Sequence, residues 1–164
     1  MNRKTKNILW TALEWLCRII LVAVFLMAAV PKLLDPALFA KDILNYRVSF
    51  PVIGQNYIYP VAMFMPALEL VAALALLFPR WKRIGSLLSG GLLFVFTILI
   101  FQAVARGLNI DCGCFGRSGV AMALAQKVGW TKILENVLWI GMAAFVFWRS
   151  QPRRVEEHAL WEAD

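Results

Sequence analysis

Hydrophobic positions in this chain come in four long, nearly unbroken runs rather than in alternating or one-sided patterns. They cover about residues 8–30, 59–78, 84–104 and 130–148, each close to the roughly 20 residues a helix needs to cross a hydrocarbon core. Pro31 is expected to close the first run, and Pro79-Arg80 the second. Trp10, Trp81, Trp130 and Trp148 stand near the expected ends, where amphipathic rings settle at a membrane interface. The third run opens with Gly85, Ser86, Ser89, Gly90 and Gly91, small residues that let helices approach closely. Between the first two runs, Asp35-Pro36 starts a short helix, Asp as cap and Pro in the first turn. Leu38, Phe39, Ile43, Leu44 and Tyr46 supply its apolar side, so it lies on the membrane surface or against the bundle.

With 164 residues, 61% hydrophobic, and a mean hydropathy of +0.68, the chain is not a soluble domain. The expectation is an all-α, four-helix transmembrane bundle, one integral membrane domain over residues 1–164 with a polar tail over 149–164. Its net charge of +7 does not mark a nucleic-acid binder, because the basic residues gather at the ends of the apolar runs. Arg3, Lys4 and Lys6, then Arg80, Lys82 and Arg83, then Arg149, Arg153 and Arg154 fall on one side of such a bundle. The positive-inside rule makes that side, and both termini, cytoplasmic. In a bacterium the membrane is then the inner one, and the other two loops face the periplasm. The first run is expected to be retained rather than cleaved as a signal peptide, since Glu14 and Arg18 interrupt it and no small-x-small site follows.

Three charges fall deep inside the first two apolar runs. Arg18 lies near the middle of the first and Glu69 near the middle of the second, depths that antiparallel neighbours bring together. A charge at a helix centre costs about 2.5–3.5 kcal/mol on insertion scales, which argues for partners. Glu14 is one turn from Arg18, so the expectation is a buried Glu14–Arg18–Glu69 cluster, serving either a proton or ligand path or simply bundle register.

The chemistry sits in Asp111-Cys112-Gly113-Cys114-Phe115-Gly116, between the third and fourth runs. Cys112 and Cys114 flank a single glycine, so a bridge between them is feasible, strained and readily reduced. Thiol exchange needs an accessible thiolate and a second sulfur to resolve a mixed disulfide; these two residues supply both. Asp111 and Glu135 are candidate proton acceptors, and Glu135 has Lys132 beside it. An inert turn is the alternative. Metal binding is not expected: two thiolates fill half a zinc site, and the single histidine, His158, lies in the tail on the opposite side. Cys17 reads as a small apolar filler.

These residues resemble the MauE/DoxX group of small four-helix membrane proteins, MauE above all. The resemblance rests on Lys32, Asp35-Pro36 and Phe39, on Pro66-Ala67-Leu68-Glu69, and most specifically on Arg106-Gly107 leading into Cys112-Gly113-Cys114-Phe115-Gly116. It implies a part in methylamine utilisation, in maturing a periplasmic methylamine dehydrogenase whose small subunit is rich in disulfides. It also implies Cys112 and Cys114 as a redox pair, with Glu69 and Lys32 as supporting positions. Early in the fourth run the resemblance leads one to expect Arg-Asn, where this chain has Glu135-Asn136.

Two functions follow as expectations. In one, the chain is a membrane thiol–disulfide oxidoreductase exchanging electrons with a periplasmic thioredoxin-like partner or disulfide-containing client. In the other, it is a non-enzymatic assembly factor or complex subunit with a static bridge. No cofactor is firmly implied; a quinone is compatible with the first reading, although no recognisable site for one is legible. A transporter built on Glu14, Arg18 and Glu69 is disfavoured, because the chain has no inverted repeat.

Overall fold

The computed structural model describes residues 3–45, 58–107 and 130–151. Within them the four apolar runs are helices: α1 Arg3–Leu34, α3 Ile58–Leu77, α4 Lys82–Ala105 and α5 Trp130–Arg149, with the short α2 at Pro36–Asn45. All four long helices are long and apolar enough to cross a membrane. Pro31 does not close α1 as expected, because it sits within the final turn. Its missing N–H costs one bond near the helix end, while its carbonyl still accepts from the Asp35 backbone at 3.1 Å. Asp35 then caps α2, its Oδ1 accepting from the Leu38 N–H at 3.0 Å.

The long helices form an up-down-up-down ring in which α1 packs on α3 and α5, and α4 on the same two neighbours. Trp10 against Phe145 and Lys32 against Glu69 show α1 running opposite to both its neighbours. Interior positions are mostly small or slender: Cys17, Leu21, Ala72, Ala73, Leu76, Leu93, Ala143 and Val146 form one cluster. Cys17 is thus part of the apolar core. The outer face is the reverse, with Ile19, Phe64, Ile84, Phe94, Leu134 and Leu138 among many large exposed side chains. In water such a surface would drive aggregation; in a bilayer it is the lipid contact.

The four-residue turn between α3 and α4 forces these helices together. A Cβ on Gly85 would stand 2.6 Å from the Leu76 nitrogen and 2.8 Å from the Ala75 carbonyl carbon. Both are backbone atoms, so neither can swing aside. Gly85→Ala is therefore expected to destabilise the bundle by about 1–3 kcal/mol, the usual cost of overpacking, read as a lower Tm in detergent. Gly91 meets nothing within 4 Å, and Gly91→Ala should leave Tm unchanged or raise it.

Helix α2 packs on α3 rather than lying free: Phe39 and Ala40 are buried with Ala62, and Ile43, Ile58 and Met65 adjoin them. Leu38 and Leu44 stay exposed. Tyr46 lies outside the described residues.

Candidate functional site

The expected Glu14–Arg18–Glu69 cluster is divided in two. Arg18 reaches the last turn of α3, where its Nε donates to the Leu76 carbonyl at 2.8 Å and its Nη2 to the Leu76 and Leu77 carbonyls, the latter at 2.9 Å. Its guanidinium also stacks 4.1 Å from the centre of the Trp15 ring. Glu14 pairs instead with Lys82 at 2.6 Å, with Arg149 Nε at 3.7 Å on its other oxygen. Both contacts belong to the end of the bundle that holds the α3–α4 turn. The physical reason is length. With 32 residues α1 overshoots the 20-residue α3, so the middle of α1 lies level with the end of α3 and not with Glu69.

Glu69 has another partner. Its Oε1 accepts from Lys32 Nζ at 2.7 Å, and both side chains are 2% exposed. Side chains on a helix lean toward its N-terminus, so on antiparallel helices Lys32 and Glu69 lean toward one another's depth. The ammonium is flanked by Phe39 and Phe96, with ring centres 4.7 and 4.8 Å away, and buried Asp42 of α2 acts electrostatically on it. Glu69 Oε2 is buried and without a hydrogen-bond partner among the described residues.

A second buried cation enters from α5. Lys132 is 2% exposed; it donates to Glu135 at 2.8 Å and lies 5.2 Å from the Trp139 ring centre. Glu135, expected as a proton acceptor, is the half-exposed member of this ion pair. Asn136, one turn on, is buried.

Lys32, Glu69, Phe96, Asn136 and Trp139 among these groups line a small recess of ≈ 40 Å³. Every long helix contributes: Val24, Phe25, Ala28 and Lys32 from α1, Glu69 from α3, Leu93 and Phe96 from α4, Asn136 and Trp139 from α5. The walls are apolar and aromatic, and the charged pair and the amide are the polar features. The described residues contain no group of three or more metal-ligating side chains.

Asp111, Cys112, Cys114 and His158 lie outside the described residues. The helices on either side of the cysteine segment are described. The end of α4 and the start of α5 stand together, Phe101 and Trp130 having ring centres 6.3 Å apart. Helix α4 ends through Gly107, whose φ of +66° is one that side-chain-bearing residues resist. Gly107 and Trp130, the described residues on either side of segment 108–129, therefore both stand at the end of the bundle that carries α2, Lys32 and Lys132.

The family model for methylamine utilisation protein MauE matches residues 10–149. The chain belongs to the MauE family. Similar curated proteins are the methylamine utilization proteins MauE of Paracoccus denitrificans, 32% identical over 79% of this chain, and of Methylorubrum extorquens, 35% identical over 78%. That of Methylophilus methylotrophus is 30% identical over 73%. The chain spans 59–65% of the length of these MauE relatives. No solved structure matches it. It is thus a multi-pass membrane protein of the MauE type, with its polar site at one end of the bundle.

Sequence reasoning overlooked Asp42, Lys132 and Asn136 as buried groups. The i,i+3 spacing of Lys132 and Glu135 was the available signal, but a pair so near a helix end reads equally well as solvated.

Proposed function

We propose that this MauE-type protein performs thiol–disulfide exchange through Cys112 and Cys114 in support of methylamine utilisation. A client dithiol attacks the Cys112–Cys114 disulfide, a mixed disulfide forms, and the second client thiol displaces it. The client leaves oxidised and the protein keeps two thiols. The client class favoured by the resemblance is a disulfide-rich periplasmic subunit of the methylamine dehydrogenase type, reached directly or through a thioredoxin-like partner. Both termini are then cytoplasmic and segment 108–129 faces the periplasm, as the basic residues around Arg80, Lys82, Arg83 and Arg149 favour. The observation that carries the reading is the Cys-Gly-Cys loop of a MauE-family chain, joined to the bundle beside its polar site.

The test is trapping in intact membranes with Cys112→Ser and Cys114→Ser made singly and together. One single variant should accumulate a mixed disulfide with a periplasmic protein, and the double variant none. Labelling by a membrane-impermeant maleimide should reach the reduced pair from the periplasmic side. Should neither single variant trap a partner, with the double variant still supporting maturation, the protein is an assembly factor and the bridge is static. The paired rather than solvated intramembrane charges would suit that alternative.

A further inference from the structure

Four membrane-spanning helices enclose a carboxylate oxygen that no described residue satisfies, beside a recess of small but definite size. We propose that the recess between Lys32, Glu69 and Asn136 is a binding site for internal water. That water gives Glu69 Oε2 its donor and joins α3 to α5. The site stands whether or not Cys112 and Cys114 exchange electrons.

The first argument is an unmet hydrogen bond. Glu69 is 1% exposed, and only its Oε1 is occupied, by Lys32. Oε2 is buried with no partner among the described residues. A carboxylate oxygen left so in a low-dielectric interior is costly, and buried polar groups of this kind are regularly completed by ordered water.

Size is the second argument. The ≈ 40 Å³ of space is room for about three waters at roughly 10–15 Å³ apiece. An apolar cavity of that size would stay dry, so the polar groups on its wall decide the matter. Ala28, Phe96 and Trp139 give apolar surface, but Lys32, Glu69 and Asn136 line the same recess. A buried water makes about three hydrogen bonds, and three polar side chains are offered. Lys32 has N–H groups beyond the one given to Oε1, Oε2 accepts, and the Asn136 amide can do either.

Charge excludes the other small occupants. Lys32 and Glu69 are paired at 2.7 Å and together carry no net charge. A cation at Oε2 would meet the neighbouring ammonium, and an anion beside Lys32 would meet the carboxylate. Water donates to one and accepts from the other. It also gives Asn136 a reason to be buried in the membrane: through water, α5 is tied to the ion pair that already joins α1 to α3.

The experiment uses the full chain, labelled with ¹³C and ¹⁵N, in phosphatidylcholine bilayers. Solid-state NMR follows magnetisation passed from water protons to assigned side chains. Transfer to the Glu69 carboxyl carbon and the Asn136 amide should build up severalfold faster than to the Leu21 and Leu76 methyls, which are just as deeply buried. Ala28→Val and Ala28→Leu fill the recess in two steps and should lower the transfer to Glu69 in two steps; the milder change guards against the larger one failing to fold. Lys32 protons exchange with water and offer a second route, which both variants leave in place. Transfer that is undiminished in a folded filling variant has come by that route and overturns the proposal. So does transfer to Glu69 in the wild type no faster than to Leu76.

Discussion

Lys32→Ala should cost the bundle about 3–5 kcal/mol, the range for removing one member of a buried ion pair. The loss comes less from the missing attraction than from what is left behind. Glu69 is 1% exposed; Oε1 would lose its donor and Oε2 already has none among the described residues. Phe39 and Phe96 would face a void where the Lys32 stem and ammonium had been. Urea or SDS titration in micelles, followed by helical circular dichroism, reads the change. Glu69→Leu should be nearly as damaging, since it strands the ammonium. Lys32→Met with Glu69→Leu should recover most of the stability, because a buried pair replaced by apolar groups of like volume is often neutral. The double-mutant cycle would thus show strong coupling. A loss under about 1 kcal/mol for either single change would mean that the two charges are solvated and the pair is not formed.

Arg18→Met is the second large effect expected, at about 1.5–3 kcal/mol, the worth of hydrogen bonds to a charged group. The last carbonyls of any helix lack intrahelical donors, and in hydrocarbon no water replaces them. Arg18 supplies that role for α3 from another helix, with bonds to Leu76 and Leu77. Its positive charge also opposes the negative end of the helix dipole. Arg18→Lys should restore only part of the stability, since an ammonium has no fork to span two carbonyls and stacks less well on Trp15. Equal stability of the Met and wild-type proteins would show that these carbonyls find other donors.

The helices were legible because the apolar runs are long, contiguous and punctuated by Pro79 and by tryptophans; the departure is Pro31, which lies within the last turn of α1. Partners of the charges were not. A run's midpoint is a poor guide to depth for α1, which extends well beyond α3. Midpoints pair Glu69 with Arg18, whereas Lys32, marked in the sequence only by the family resemblance, holds it. Rotation about each helix axis is equally silent in a uniformly apolar run: Lys132 reads like any interfacial lysine until α5 is placed against its neighbours. The cysteine pair is the opposite case, plain in the sequence and outside the described residues.

The reach of α1 across the bundle has a consequence for how the protein is made. Lys32 bonds a residue 37 positions later, and Arg18 bonds carbonyls 58 and 59 positions later. Helix α1 is synthesised first, so it leaves the ribosome with both cations before either acceptor exists. Until α3 emerges, the insertion machinery or the lipid headgroups must accommodate those charges. A ribosome stalled while α3 is still in the exit tunnel should therefore hold α1 loosely, extractable by alkali, whereas one stalled after α3 has emerged should hold a locked hairpin. The membrane insertion of this chain is thereby timed by partners that translation delivers late.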